Sequence, residues 1–331
     1  MYIIDSYSTA VLFCIITMLC WGSWANTQKL ASASWRFELF YWDYVIGILL
    51  LALILGHTLG STGTEGRPLM EDLHQADNDS IRSAIWGGIL FNAANILLVA
   101  AISIAGMSVA FPVGIGLALV IGVIVNYIDA PIGNPVLLFS GVALVMMAIV
   151  LNAYAYRKKQ AQQSGVSSKG LLLAVVAGAL MGLFYKYVAN SMFPDFKHPI
   201  DGKLSPYTAV FIFAVGILVS NVFFNTLLMR FPFTGSPVGY KDYFAGSFKS
   251  HLMGIFGGMI WCIGMSFSII ASEKAGPAIS YGLGQGATIV AAIWGIFIWK
   301  EFKDAPRSIY NLLYVMLACY AAGLALIILS R

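Results

Sequence analysis

The sequence predicts an all-α membrane protein with ten transmembrane helices, arranged as two inverted five-helix repeats. Three observations carry that prediction. Of 331 residues, 59% are hydrophobic and 10% charged, and the mean hydropathy is +0.82. A soluble domain carries about 25% charged residues, so lipid must be the main solvent. The apolar residues fall into ten runs, each about 20 residues long, the length that crosses a bilayer. The third observation is internal repetition. Laid without gaps, Trp86–Gly116 on Phe256–Gly286 pairs Gly87/Gly257, Gly88/Gly258, Ala105/Ala275, Gly106/Gly276, Gly114/Gly284 and Gly116/Gly286. Trp86, Phe91 and Phe111 also meet aromatic partners there.

In chain order the spans are expected near 9–28, 41–60, 82–104, 107–127, 136–154, 170–190, 207–229, 251–272, 276–299 and 308–330. Nothing basic precedes the first run and no small-residue cleavage site ends it, so it reads as a retained helix. The second and third spans are separated by an acidic loop, 61–80. The third and fourth join at the Ala105-Gly106 turn. In the fourth, Phe111-Pro112-Val113-Gly114-Ile115-Gly116 is expected to break the helix, because Pro112 removes a ladder hydrogen bond. A short basic cytoplasmic linker, 157–169, divides a first five-helix repeat, 1–156, from a second, 170–331. Lys186 interrupts the sixth span, and Asn221 and Asn225 the seventh. A loop rich in Pro, Gly and aromatics, 229–250, leads into the eighth. The ninth repeats the fourth, with Gly284 and Gly286 at its helix-break position. The tenth is uniformly apolar. Five is odd, so the second repeat enters the membrane upside down, as in transporters built around a midplane site.

Charge sets orientation. Loops after the odd-numbered spans hold twelve Lys and Arg and the opposite side six, with Lys186 completing the total of 19. The richer side is expected to be cytoplasmic and both termini extracytoplasmic, in the plasma (cell inner) membrane. A net charge of +4 without a basic cluster excludes a nucleic-acid footprint. Cys14, Cys20, Cys262 and Cys319 lie in apolar runs with neither a disulfide framework nor metal spacing. No cofactor is expected. His57, His74, His198 and His251 are scattered, and no catalytic triad or HExxH helix is visible, so an enzyme is not expected.

Several short motifs carry a family resemblance. Met1-Tyr2-Ile3-Ile4-Asp5-Ser6, Gly22-Ser23-Trp24, Trp42-Asp43-Tyr44, Trp294-Gly295-Ile296, Glu301-Phe302 and Ser308-Ile309-Tyr310-Asn311-Leu312-Leu313 make the chain similar to the ureide permease family of the drug/metabolite transporter superfamily. The resemblance implies ten helices in two inverted repeats. It also implies import of allantoin, uracil or related oxo-heterocycles, with proton coupling in the plant members. Those members carry a phosphate-binding-like central loop, which 157–169 lacks, so nucleotide binding does not transfer. Sugar porters for glucose, ribose or rhamnose belong to the same superfamily and stand as the alternative.

Polar and aromatic residues inside the membrane nominate a site, since such groups are costly there. Asn92 and Asn95 share a face of the third span, as solute contacts or as interhelical bonds. Tyr281 and Gln285 form a stripe with Thr288 on the ninth, flanked by Gly284 and Gly286. Trp21 and Trp24 on the first span, with Trp261 on the eighth, offer stacking surfaces for a flat ring. Pro112, Gly114 and Gly116 are the gating candidates opposite the ninth span's glycines. For coupling, Asp43 and Lys186 are the candidates, Lys186 as a snorkelling cation, a site cation or a partner for Asp43. No carboxylate is expected at mid-depth. The expected function is alternating-access carriage of a small neutral polar solute.

Overall fold

The computed structural model describes residues 1–31, 35–159 and 167–331, the side chains of 107–109 excepted. Most of the expected linker, 160–166, lies outside these residues. In chain order the helices are α1 (Tyr7–Ser23), α2 (Asn26–Leu30), α3 (Phe37–His57), α4 (Leu69–Gln75), α5 (Asn78–Ala105), α6 (Met107–Asp129) and α7 (Pro135–Lys159). They continue with α8 (Ser168–Ser191), α9 (Pro206–Arg230), α10 (Tyr240–Phe244), α11 (Phe248–Ala275), α12 (Pro277–Gly284), α13 (Ala287–Ile293), a π-helical turn (Trp294–Ile298) and α14 (Arg307–Leu329). Ten segments are long and apolar enough to cross a membrane: α1 with α2, α3, α5, α6, α7, α8, α9, α11, α12 with α13 and the π turn, and α14. Their outer faces expose Leu172, Phe223, Leu227 and Tyr314, as lipid solvation requires.

Local chemistry starts the helices where they start. Ser6, Asp77, Ser205 and Ser247 cap α1, α5, α9 and α11 by accepting the backbone N–H three residues on, which satisfies an orphan donor. The second span begins four residues before its expected start, at Phe37, with Glu38 in the first turn of α3 paired to the Arg36 guanidinium at 2.5 Å. Asp43 lies two turns inside the helix and is 1% exposed. Its carboxylate accepts the Tyr243 hydroxyl at 2.6 Å and faces His251 Nδ1 at 2.9 Å. Lys186 does not partner Asp43, since it pairs with Asp129 at 3.0 Å.

The packing has a regular pattern. α5 packs on α8 and α9, and α11 on α1 and α3; α6 meets α8, and α12 and α13 meet α1. α3 also packs on α9, and α7 on α14. Exchanging each span for the one five places along maps these pairings onto themselves. The glycines repeated in sequence occupy matching places. Gly106 and Gly276 both turn the chain in a positive-φ conformation, φ 79° ψ 156° and φ 87° ψ 148°, which suits glycine. A Cβ on Gly88 would collide with the Phe213 carbonyl, and one on Gly258 with the Tyr44 carbonyl. Helix backbones thus touch through glycine, the small-residue contact that replaces hydrophobic attraction inside lipid.

Pro112 does not break the fourth span: α6 runs unbroken from Met107 to Asp129 with Pro112 inside its second turn. So near the helix start the proline forfeits only one ladder bond. The discontinuities fall elsewhere. The first span is interrupted at Trp24-Ala25, between α1 and α2. The ninth is interrupted at Gln285-Gly286, where Gly286 N–H turns to the Leu283 carbonyl at 2.8 Å.

The glycine contacts predict that Gly258→Ala will lower the detergent melting midpoint, because overpacking costs about 1–3 kcal/mol. Gly239→Ala, whose added methyl would meet nothing nearer than Asp242 Oδ2 at 3.8 Å, serves as the control. Equal midpoints in fluorescence-detected thermal unfolding would show that the α3–α11 contact is slack.

Candidate solute site

A cavity of about 200 Å³ lies between α1, α5, α6, α8, α11 and the α12–α13 break. Trp21, Trp24, Phe91, Phe111, Phe184 and Trp261 supply its aromatic wall, and Asn95, Gln285 and Thr288 its polar side chains. Among the described residues no ionisable group lines it. A second cavity of about 190 Å³ shares Gly22, Ala25, Phe111, Thr288 and Ala291 with the first, and reaches Lys29, Tyr156, Trp299 and Glu301. Lys29 and Glu301 pair at 3.2 Å there, and Tyr156 also donates to Glu301. The central space therefore leads toward the face rich in Lys and Arg.

Aromatic packing fixes the wall. Trp21 and Trp261 lie nearly parallel, 5.8 Å apart at 13°, and Trp21 Nε1 donates to the Trp261 carbonyl at 3.2 Å. Phe91 covers Trp261 at 4.4 Å, which leaves that indole 4% exposed. Gly284 makes room for Trp21, whose ring stands 2.8 Å from where a Cβ would be. Trp24 is freer. It is half-buried, tilts against Tyr44 at 4.6 Å, and its indole N–H has no partner among the described residues. Trp24 thus offers the cavity a half-buried ring whose N–H is uncommitted among the described residues.

The polar groups divide. Gln285 is 8% exposed, yet its carboxamide has no hydrogen-bond partner among the described residues. Asn95 gives Nδ2 to the Tyr41 hydroxyl at 3.1 Å. Thr288 donates to the Gln285 carbonyl at 3.0 Å, which bridges the break.

Of the residues nominated from sequence, Trp21, Trp24, Asn95, Trp261 and Gln285 come together here. Asn92 and Tyr281 do not. Asn92 is bonded to Tyr41 and Ser220 at 2.9 Å each, so it joins α3, α5 and α9. The Tyr281 hydroxyl donates to the Met181 carbonyl at 3.1 Å, with its ring packed on Gly122. Pro112 lines the second cavity, Gly114 packs on Leu98, Gly116 on Met146, and Gly286 on Met18 and Leu324. Asp43 and Lys186 line neither cavity. Phe91, Phe184 and Tyr41 were not foreseen as part of the site. Phe91 had a signal, because the repeat aligns it with Trp261.

Outside the bilayer, the loop face opposite Lys29 is tied together. Asp72 is buried against Ser205 N–H at 2.7 Å and Arg67 at 3.6 Å. Burial pushes its carboxyl above the ordinary range, against the pull of those hydrogen bonds. Lys197 joins Asp5 at 2.9 Å and Glu65 at 3.6 Å, which fastens the first residues to the loops.

A ten-span bundle that holds a neutral, aromatic-walled cavity, with an amide uncommitted among the described residues, defines a multi-pass membrane transporter for a small solute. Its family follows from the sequence as a whole. The ureide permease model matches residues 40–169 and 157–330, and the chain belongs to that family. It is 23% identical over 387 residues to ureide permease 1 of Arabidopsis thaliana, covering 100% of this chain and 99% of the relative. A putative sugar uptake protein of Listeria innocua is 27% identical over 235 residues, 70% of this chain and 73% of the relative. A solved structure described as "Crystal structure of protein" shares the fold with TM-score 0.61 and 16% identity, covering 96% of both chains.

The half-buried Trp24 predicts a graded response. Trp24→Phe should keep most uptake, and Trp24→Ala should weaken apparent affinity about tenfold or more, since ring stacking is worth about 1–3 kcal/mol. Equal uptake by the two variants at equal membrane abundance would reduce Trp24 to packing.

Proposed function

We propose that this protein carries a ureide or nucleobase-like oxo-heterocycle across the plasma membrane by alternating access. The moving parts in this reading are two five-helix halves of opposite orientation, 1–156 and 170–331, joined by the linker 157–169. The observation that carries it is the Gln285 amide, unpartnered among the described residues, at a helix break in one small aromatic cavity with Asn95. Broken helices at a shared midplane site are how many carriers present polar groups to solute. At about 200 Å³ the cavity is smaller than the roughly 300–1,000 Å³ of drug-sized ligand sites, which suits a single small ring. A carboxamide sets a donor beside an acceptor, and the edge of a ureide or uracil has the same alternation. The names of the Arabidopsis relatives support that solute class. A sugar is the second reading, favoured only by relatives matched over less of the chain. Carriage is also preferred to enzymatic turnover, because the cavity's polar side chains offer amides, a hydroxyl and an indole, without a nucleophile and base.

The test is uptake into proteoliposomes of allantoin, uracil, ribose, glucose and rhamnose. Allantoin or uracil should compete best. Gln285→Leu should abolish that uptake at unchanged folded protein, because a buried partner is left unpaired. Gln285→Glu should harm heterocycles more than sugars, since an ionised carboxylate no longer donates. Normal transport by Gln285→Leu would misplace the site.

The Lys and Arg asymmetry supports extracytoplasmic termini. Tags at both ends should react with an impermeant reagent in intact cells, and protection of both until lysis would reverse the orientation.

A further inference from the structure

The amides of this site are not equally free to turn, and the reason lies outside the cavity. Asn92 Nδ2 points at the Ile217 carbonyl at 3.4 Å and at Ser220 Oγ at 2.9 Å. A backbone carbonyl only accepts. Ser220 spends its own proton on the Gly216 or Ile217 carbonyl, at 2.8 and 3.0 Å, so it too accepts from Asn92. The nitrogen of Asn92 must therefore face α9, and its oxygen must face Tyr41.

The Tyr41 hydroxyl, 2.9 Å from Asn92 Oδ1, has one proton and gives it there. Only lone pairs remain on that hydroxyl for its next neighbour. Asn95, at 3.1 Å, can meet them only with Nδ2. Nδ2 keeps a second N–H, but the amide cannot flip, so Oδ1, which has no partner among the described residues, stays turned from Tyr41 and available to the cavity that Asn95 lines. Tyr41 and Asn92 are each 0% exposed, and Ser220 5%, so water has little access to the chain of bonds and cannot readily reverse it.

We infer that Tyr41 and Asn92 are positioning residues that fix which end of the Asn95 amide faces the cavity, holding Oδ1 there in place of a flipped Nδ2, so that the carrier selects a solute with an N–H or O–H donor at that oxygen. The inference rests on the cavity's being the solute site, and it adds a polarity that Gln285, free to rotate, does not impose. Removing either positioning group releases Asn95. In Tyr41→Phe its nitrogen loses the acceptor that held it. In Asn92→Leu the Tyr41 hydroxyl loses its own acceptor and can donate to Asn95 Oδ1 instead. Both changes let Nδ2 enter the cavity, although neither residue lines it.

The experiment compares uracil with 1,3-dimethyluracil, which lacks every N–H, as competitors of uptake by wild type, Tyr41→Phe and Asn92→Leu. Wild type should prefer uracil, and both variants should shrink that preference about tenfold or more, the scale of one buried hydrogen bond. A purely structural role would lower the amount of folded protein or the maximal rate and leave the ratio of inhibition constants unchanged. An unchanged ratio in both variants overturns the inference. If one variant fails to fold, the other still reports. Should wild type carry glucose and ignore uracil, the heterocycle reading fails on its own. The same variants are then scored with glucose against the mono-deoxyglucoses, one of which lacks the hydroxyl donor that Asn95 accepts. Relaxed rejection of that deoxy sugar supports the inference, and unaltered rejection overturns it.

Discussion

Inside hydrocarbon every backbone N–H and C=O must find a partner within the chain. This constraint decides where the protein can be irregular. Among the described residues of the ten spans, helices are interrupted at Trp24-Ala25 and Gln285-Gly286, and Trp24, Ala25 and Gln285 all line the cavity. A helix can loosen there because it borders neighbouring helices and an enclosed space rather than lipid. The side chains at the loosened turns, an indole and an amide, are also the least committed polar groups in the cavity.

The same constraint explains the helix contacts. Lipid tails are as apolar as leucine, so helices gain little by hiding leucine from them. Close approach through glycine supplies dispersion contacts instead. Gly88 against α9 and Gly258 against α3 bring backbones together, and Gly47 and Gly216 do so from the opposite helices, on Ile255 and Ile85. Gly141 and Gly323 make a reciprocal contact between α7 and α14. These contacts leave the interior to larger aromatic residues.

The spans were legible because their signal is compositional and sustained. The polar residues were legible as a set but not by role. A helical face shows that Asn92 and Asn95 project together, yet the wheel cannot tell that α9 waits beside Asn92 while Asn95 borders a void. Tyr281 and Gln285 sit one turn apart, and one fills the space over Gly122 while the other meets the cavity. The second span starts at Phe37, next to the Arg36–Glu38 pair, and not at 41, because polar residues at a helix entry hide its first turn from an apolar count. His251 was passed over because its partner lies 208 positions away in sequence. Of the helix-break positions nominated in the fourth and ninth spans, Pro112 leaves α6 continuous, whereas Gly284 and Gly286 flank an interruption where the lost regularity borders the cavity.

The lengths of α5 and α11 have a mechanical consequence. Each has 28 residues, about 42 Å at 1.5 Å per residue, against a hydrocarbon layer of about 30 Å. Each therefore projects beyond it, and the projecting turns are the polar ones, Asn78 to Arg82 on α5 and Lys249, Glu273 and Lys274 on α11. α14, with 23 residues, is about 35 Å long and projects less. The two helices that carry Asn95 and Trp261 thus have charged ends that resist being drawn into hydrocarbon. Those ends act as stops, and they set the depth at which the binding chamber rides in the membrane.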